Sequence, residues 1–199
     1  MKSLALGLAI ATLALCAIPD PPKSKISGFT SAPLRLELYE DFSCPHCRTV
    51  HEQIVPMLVR DYVTPGKAYI VFRDYVLNGP GHQYSRIAAT YAAAAARIGR
   101  YQTAADAIFK SQGAWVFNGQ VWPSISSAFT PDEQKKILAL AQESALQSEV
   151  QQDIDAGNAV PITQTPTMIV VYRGKRQPWT MWNSYDLLKS YLDQLLSGR

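Results

Sequence analysis

Leu34, Leu36 and Leu38 alternate with Arg35, Glu37 and Tyr39, the period of a half-buried strand. Glu40-Asp41-Phe42-Ser43 turns the chain. From Cys44 the period becomes helical, with Val50, Ile54, Met57, Leu58 and Val63 on one side. Pro56 lies inside this helix and is expected to kink it, and Thr64-Pro65-Gly66 stops it. Residues 68–77 read as a second, buried strand. After the loop Asn78-Gly79-Pro80-Gly81 comes a long helical region. Residues 85–99 are alanine-rich, 101–111 continue the pattern, and 113–129 read as a loop holding Trp115 and Trp122. Thr130-Pro131-Asp132-Glu133 predicts a helix start: a capping threonine, a proline at the first helical position and a glutamate able to reach back. Ser144 and Gln147 repeat that signal more weakly for a helix ending near Gly157. Residues 167–172 are a β-branched strand, Arg173-Gly174-Lys175-Arg176 a hairpin turn, and 179–182 the returning strand. Ser184 caps a last helix with Leu187, Leu188, Tyr191, Leu192, Leu195 and Leu196 on its core face.

The order is strand, helix, strand, helices, strand, strand, helix. An α/β domain is expected over 34–199, with a helical insertion over about 80–158. The 199 residues suit one domain, and hydrophobic and charged residues, at 47% and 18%, are in ordinary globular proportion. The formal charge of +3 is too small to argue for nucleic acid, and no basic stripe is interleaved with aromatics. Upstream, Lys2 precedes an apolar run to Ile18, shorter than the roughly 20 residues of a membrane span. Residues 1–18 read as a signal peptide or N-terminal anchor, with lipidation at Cys16 a further alternative, and 19–33 as a linker rich in Pro, Ser and Lys. Each alternative places the domain outside the cytoplasm, in the periplasm or an equivalent space, where paired thiols meet oxidants.

Beyond the leader the only cysteines are Cys44 and Cys47, at a predicted helix start. That spacing lets them close a disulfide across the first turn. It sets the Cys44 sulfur near unpaired backbone N–H groups, which favour the thiolate, and shelters Cys47 behind it. Pro45 stiffens the turn, and the His46 imidazole is expected to favour the thiolate further. A zinc site would need a second ligand pair, and only His51 and His82 are available, in unrelated contexts, so no metal is expected. Haem attachment would need histidine where Arg48 stands. A purely structural disulfide closing so short a loop adds little stability.

The run Glu-Asp-Phe-Ser-Cys-Pro-His-Cys-Arg at 40–48 resembles the active site of the DsbA-like thiol–disulfide oxidoreductases of the thioredoxin fold. Thr165-Pro166-Thr167, ahead of an apolar strand, is similar to the family's cis-proline loop. The likeness covers about 33–197, nearly the whole chain after the leader. It implies a thioredoxin fold, a central mixed sheet flanked by helices with an inserted helical subdomain. It implies a cis Thr165–Pro166 bond facing Cys44, with both residues holding substrate. The chemistry would be disulfide donation to cysteine-containing secreted proteins, with no cofactor beyond the Cys44–Cys47 pair. Reoxidation would come from a membrane quinone-linked enzyme of the DsbB or vitamin-K-epoxide-reductase type. No dimerisation segment precedes the first strand, so a monomer is expected.

Two departures matter. Leu38 stands six residues before Cys44, where such proteins often carry a buried acid; Glu40 shares its strand parity and is the candidate proton acceptor for Cys47, with Glu37 and Asp41 expected to point away. Thr165 replaces the valine of DsbA and occurs in isomerase and reductase relatives, which keeps an isomerase or reductase open as a second function. A secreted binding or chaperone module with an inert disulfide is the third. His51 reads as a helix-surface residue, His82 as a turn residue, and Trp115 and Trp122 as packing within the helical block.

Overall fold

The computed structural model describes residues 20–160 and 162–198. The leader, with Cys16, lies outside the described residues. Among these, no helix is long and apolar enough to cross a membrane.

Five strands form one mixed sheet in the order β1-β3-β2-β4-β5. They are β1 (Ile26–Ser27), β2 (Leu34–Glu40), β3 (Ala68–Asp74), β4 (Thr167–Tyr172) and β5 (Lys175–Trp179). β2 and β3 run parallel, from Leu34 opposite Ala68 to Glu40 opposite Asp74; the other pairings are antiparallel. Between β2 and β3 a helical rod spans 45–63: α1 (Pro45–Thr49), a π-turn, α2 (Val55–Leu58) and a second π-turn. The expected kink at Pro56 takes this form. The Val55 N–H bonds five residues back to Val50, and the wider turn accommodates a proline that cannot donate.

The insertion holds α3 (Ser85–Arg97), α4 (Tyr101–Lys110), α5 (Gln112–Trp115), α6 (Val121–Ile125), α7 (Pro131–Leu140) and α8 (Ser144–Asn158); α9 (Tyr185–Ser197) closes the chain. The alanines of α3 are buried, which lets neighbouring helices approach closely. The capping box at α7 forms as read, with the Thr130 side chain accepting from the Glu133 N–H and the Glu133 carboxylate from the Thr130 N–H. Ser184 caps α9.

Several sequence expectations give way. β2 is buried on both faces, because Tyr39 meets Ala156 and Ile169 on the side away from the leucines. Glu37 survives there between Arg35 (2.6 Å) and Arg176 (2.6 Å). The stretch 19–33, expected as a linker, contains a turn at Lys23–Lys25 and the edge strand β1, and Lys25 is buried. Its ammonium sits between Asp74 and Asp153, partners far away in sequence, so nothing local announced it. The hairpin turn is only Arg173-Gly174, both at positive φ, and the returning strand is therefore Lys175–Trp179 rather than 179–182. The expected loop over 113–129 carries α6 and the end of α5, organised around the buried Trp115, whose indole donates to the Ile108 carbonyl at 2.9 Å. Trp122 packs against Tyr91 and Phe129 in the same block, as expected.

Candidate active site

Cys44 is the N-cap of α1, with extended backbone angles, and Pro45 occupies the first turn, where its missing N–H costs nothing. Both cysteines are free thiols. Cys44 keeps 7% exposure and Cys47 none, so only the first sulfur is open to attack. Pro45 and His46 are exposed beside it. The Thr165–Pro166 bond is cis, and the Thr165 carbonyl lies 3.5 Å from Cys44 Sγ. The structure thus brings Cys44, Cys47, Pro45, His46, Thr165 and Pro166 together.

The two thiols are driven apart in acidity. Cys44 is pushed down to about 5, first by the hydrogen bond from the Cys47 thiol, against a desolvation cost. The backbone N–H groups of Cys47 and His46, and the Thr165 side chain, act in the same direction. His46 therefore enters this balance through its backbone. Burial pushes Cys47 well up, helped by its bond to Cys44 and by the charge of Glu40. The Asp41 N–H lies 3.3 Å from Cys47 Sγ.

Glu40 is buried and its pKa is raised, chiefly by desolvation and partly offset by His51. Its Oε1 has no hydrogen-bond partner among the described residues, and its Oε2 lies 3.5 Å from His51 Nδ1. Glu37 and Asp41 are committed elsewhere, as parity required. Asp41 accepts from the Ser43 and Leu77 N–H groups, each at 2.7 Å, and from Ser85 Oγ at 2.6 Å; His82 Nδ1 lies 3.1 Å from it. His82 thus braces the loop after β3.

His51 is no surface residue. It is 5% exposed, its Nε2 lies 2.8 Å from Asp106 Oδ1, and its pKa rises to about 9 because those bonds and charges outweigh burial. It follows Cys47 by four residues, the spacing that stacks side chains on one helix face, and that spacing was the available signal. Two further residues escaped the sequence. Gln112, buried on α5, donates to the carbonyls of Phe42 (2.8 Å) and Cys44 (3.1 Å). The Trp182 indole donates to the Pro166 carbonyl at 2.7 Å and holds the cis-proline loop. Among the described residues no group of His, Cys, Asp and Glu is arranged to hold a metal ion.

A family model described as thioredoxin matches residues 21–189. The chain belongs to the thioredoxin family. It is 21% identical over 190 residues to disulfide bond formation protein D of Bacillus subtilis, covering 91% of this chain and 81% of that protein. Among solved structures, α-DsbA1 of Wolbachia pipientis superposes with a TM-score of 0.72 at 18% identity, covering 87% of this chain and 91% of that one. Oxidised BdbD of Bacillus subtilis also gives 0.72, at 21% identity over 90% of this chain and 98% of its own. DsbA2 of Pseudomonas aeruginosa gives 0.67 at 22% identity, covering 86% and 93%. These likenesses establish the DsbA-like thioredoxin fold with its helical insertion.

Proposed function

We propose that this thioredoxin-family protein is an extracytoplasmic thiol–disulfide oxidoreductase that donates the Cys44–Cys47 disulfide to folding secreted proteins. The observation that carries the reading is the division between a low-pKa, accessible Cys44 and a buried, high-pKa Cys47 beside a cis-proline loop. A substrate thiolate attacks Cys44 Sγ, the Cys44–Cys47 bond breaks, and Cys47 leaves as a thiolate that takes up a proton. A second substrate thiolate then attacks the substrate sulfur of the mixed disulfide and releases Cys44 as a thiolate. The substrate is oxidised and the Cys44–Cys47 pair reduced, with no other cofactor. A leaving group held near pKa 5 makes its disulfide oxidising. Glu40 is the group we assign to exchange protons with Cys47, and Thr165 and Pro166 hold the substrate backbone as an added strand. The fold's disulfide-forming relatives and the apolar leader support cysteine-containing secreted proteins as substrates and a DsbB-type or vitamin-K-epoxide-reductase-type membrane oxidase as electron acceptor.

Thr165 keeps a second reading open, an isomerase or reductase, because a threonine before the cis-proline resembles that of such relatives. Equilibration of the purified protein with glutathione redox buffers separates the two. A Cys44 pKa between those of thioredoxin and DsbA predicts a potential between about −270 and −120 mV. A value at or below the thioredoxin end overturns the oxidase direction, and the absence of any exchange overturns the enzyme.

A further inference from the structure

Glu40 carries a difficulty. Desolvation pushes a carboxyl group this deeply buried, with one oxygen unpartnered among the described residues, toward its neutral form, and a neutral carboxyl cannot accept a proton from Cys47. Among the described residues one cation approaches it, and it comes from the active-site helix itself. His51 Nδ1 lies 3.5 Å from Glu40 Oε2, and His51 Nε2 lies 2.8 Å from Asp106 Oδ1 on α4. Phe72 and Phe109 flank the imidazole. The charged groups around it are Glu40 from β2, Asp106 and Lys110 from α4, and Glu52 from its own helix; the charges of Asp74 on β3 and of Cys44 also act on Glu40. The Asp106 side chain is 68% exposed and opens, with His51, Glu52, Pro56 and Lys110, onto a surface cavity of about 380 Å³. The arrangement runs from a buried acid through a histidine to a solvated carboxylate, and its outer member belongs to the helical insertion.

We infer that His51 and Asp106 are positioning residues for the Cys47 step: Asp106 holds His51 as a cation, and that cation keeps Glu40 ionised so that it can take the Cys47 proton. The inference rests on the exchange chemistry proposed above. The proton passes from Cys47 Sγ to the Glu40 carboxylate, and the Cys47 thiolate attacks Cys44 Sγ of a mixed disulfide. The Cys44–Cys47 bond forms, and the outgoing sulfur leaves as a thiolate. Glu40 then carries the proton while the disulfide is closed, and returns it to Cys47 when a thiolate next opens the pair. The 3.5 Å gap is longer than a hydrogen bond; contacts of this kind commonly tighten only in the reacting complex.

The test oxidises the reduced protein with excess glutathione disulfide in a stopped-flow instrument from pH 6 to pH 9. A bimolecular phase reports Cys44 attack, and a following phase, independent of glutathione disulfide concentration, reports Cys47 attack. In His51→Gln the second phase slows about tenfold or more at pH 7 and needs higher pH to recover, while the first phase is unchanged. Asp106→Asn, at an exposed position, leaves the second phase near wild type at pH 6 and slows it near neutral pH, because it lets His51 lose its proton earlier. Second phases that superpose on wild type, or that fall by one factor at every pH in Asp106→Asn, overturn the inference. Absence of both phases in the wild-type protein overturns instead the exchange function on which it rests.

Discussion

Two buried ionic clusters sit on this sheet, and they are built on opposite principles. In the first, Lys25 donates to Asp74 and Asp153, Arg73 to Asp153 at 3.0 Å, and Tyr101 to Asp74 at 2.6 Å, while the Asp74 N–H reaches Asp153 at 3.2 Å. Both carboxylates are held on several sides and both cations face opposite charge. In the second, among the described residues, Glu40 has one oxygen without a partner and a single cation at 3.5 Å. Both clusters lie at the same end of the sheet, since Glu40 pairs in register with Asp74. A cluster bonded on many sides fixes geometry. An unsaturated one costs stability and leaves a site whose protonation can change.

The largest effect that would separate them is on folding. Asp153→Ala strips two cations of their shared partner, and a loss of about 3–5 kcal/mol in denaturant-unfolding free energy is expected. Glutathione-exchange kinetics of the folded fraction should stay near wild type. Glu40→Gln should do the reverse. It removes a charge that the fold never fully compensated, so unfolding free energy changes by no more than about 1 kcal/mol, while the Cys47 step slows about a hundredfold. A glutamine variant as destabilised as Asp153→Ala would erase the distinction.

The smallest effect is the pH dependence of stability. His51 has a folded pKa raised from 6.5 to about 9. Its contribution is fully present below about pH 6.5 and is lost as pH rises through 9, a decline on the order of 3 kcal/mol. It is best measured by urea unfolding of the disulfide form, in which neither thiol titrates. Lys25, raised above its ordinary value, should add no slope in that window. His51→Gln should flatten the curve, and Asp153→Ala should leave its shape intact.

The legible parts of this molecule were those with local causes. The leucine alternation of β2, the capping box at Thr130 and Glu133, the Cys44-Pro45-His46-Cys47 turn and the proline loop each declare themselves within a few residues. Glu40 could be picked by strand parity because parity is local too. What could not be read were partnerships closed by topology. Lys25 gave the appearance of a solvated linker residue, because Asp153 comes 128 residues later. Asp106, Gln112 and Trp182 are unremarkable in their own segments and acquire meaning only when the insertion and the C-terminal region fold back onto the motif. His51 lay between the two cases: its spacing from Cys47 was visible, but the acid on its far side was not.

The Gln112 clamp has an electronic consequence. Its amide donates to the Phe42 carbonyl, and the peptide that carries that carbonyl donates through the Ser43 N–H to Asp41, which also accepts from Ser85 at the start of α3. Hydrogen bonding at one end of a peptide polarises the other. The loop that delivers Cys44 is therefore a polarised conduit running from one part of the helical insertion to another. Grafting the four-residue motif onto a thioredoxin core without those helices would transfer the thiols and leave their dipoles behind.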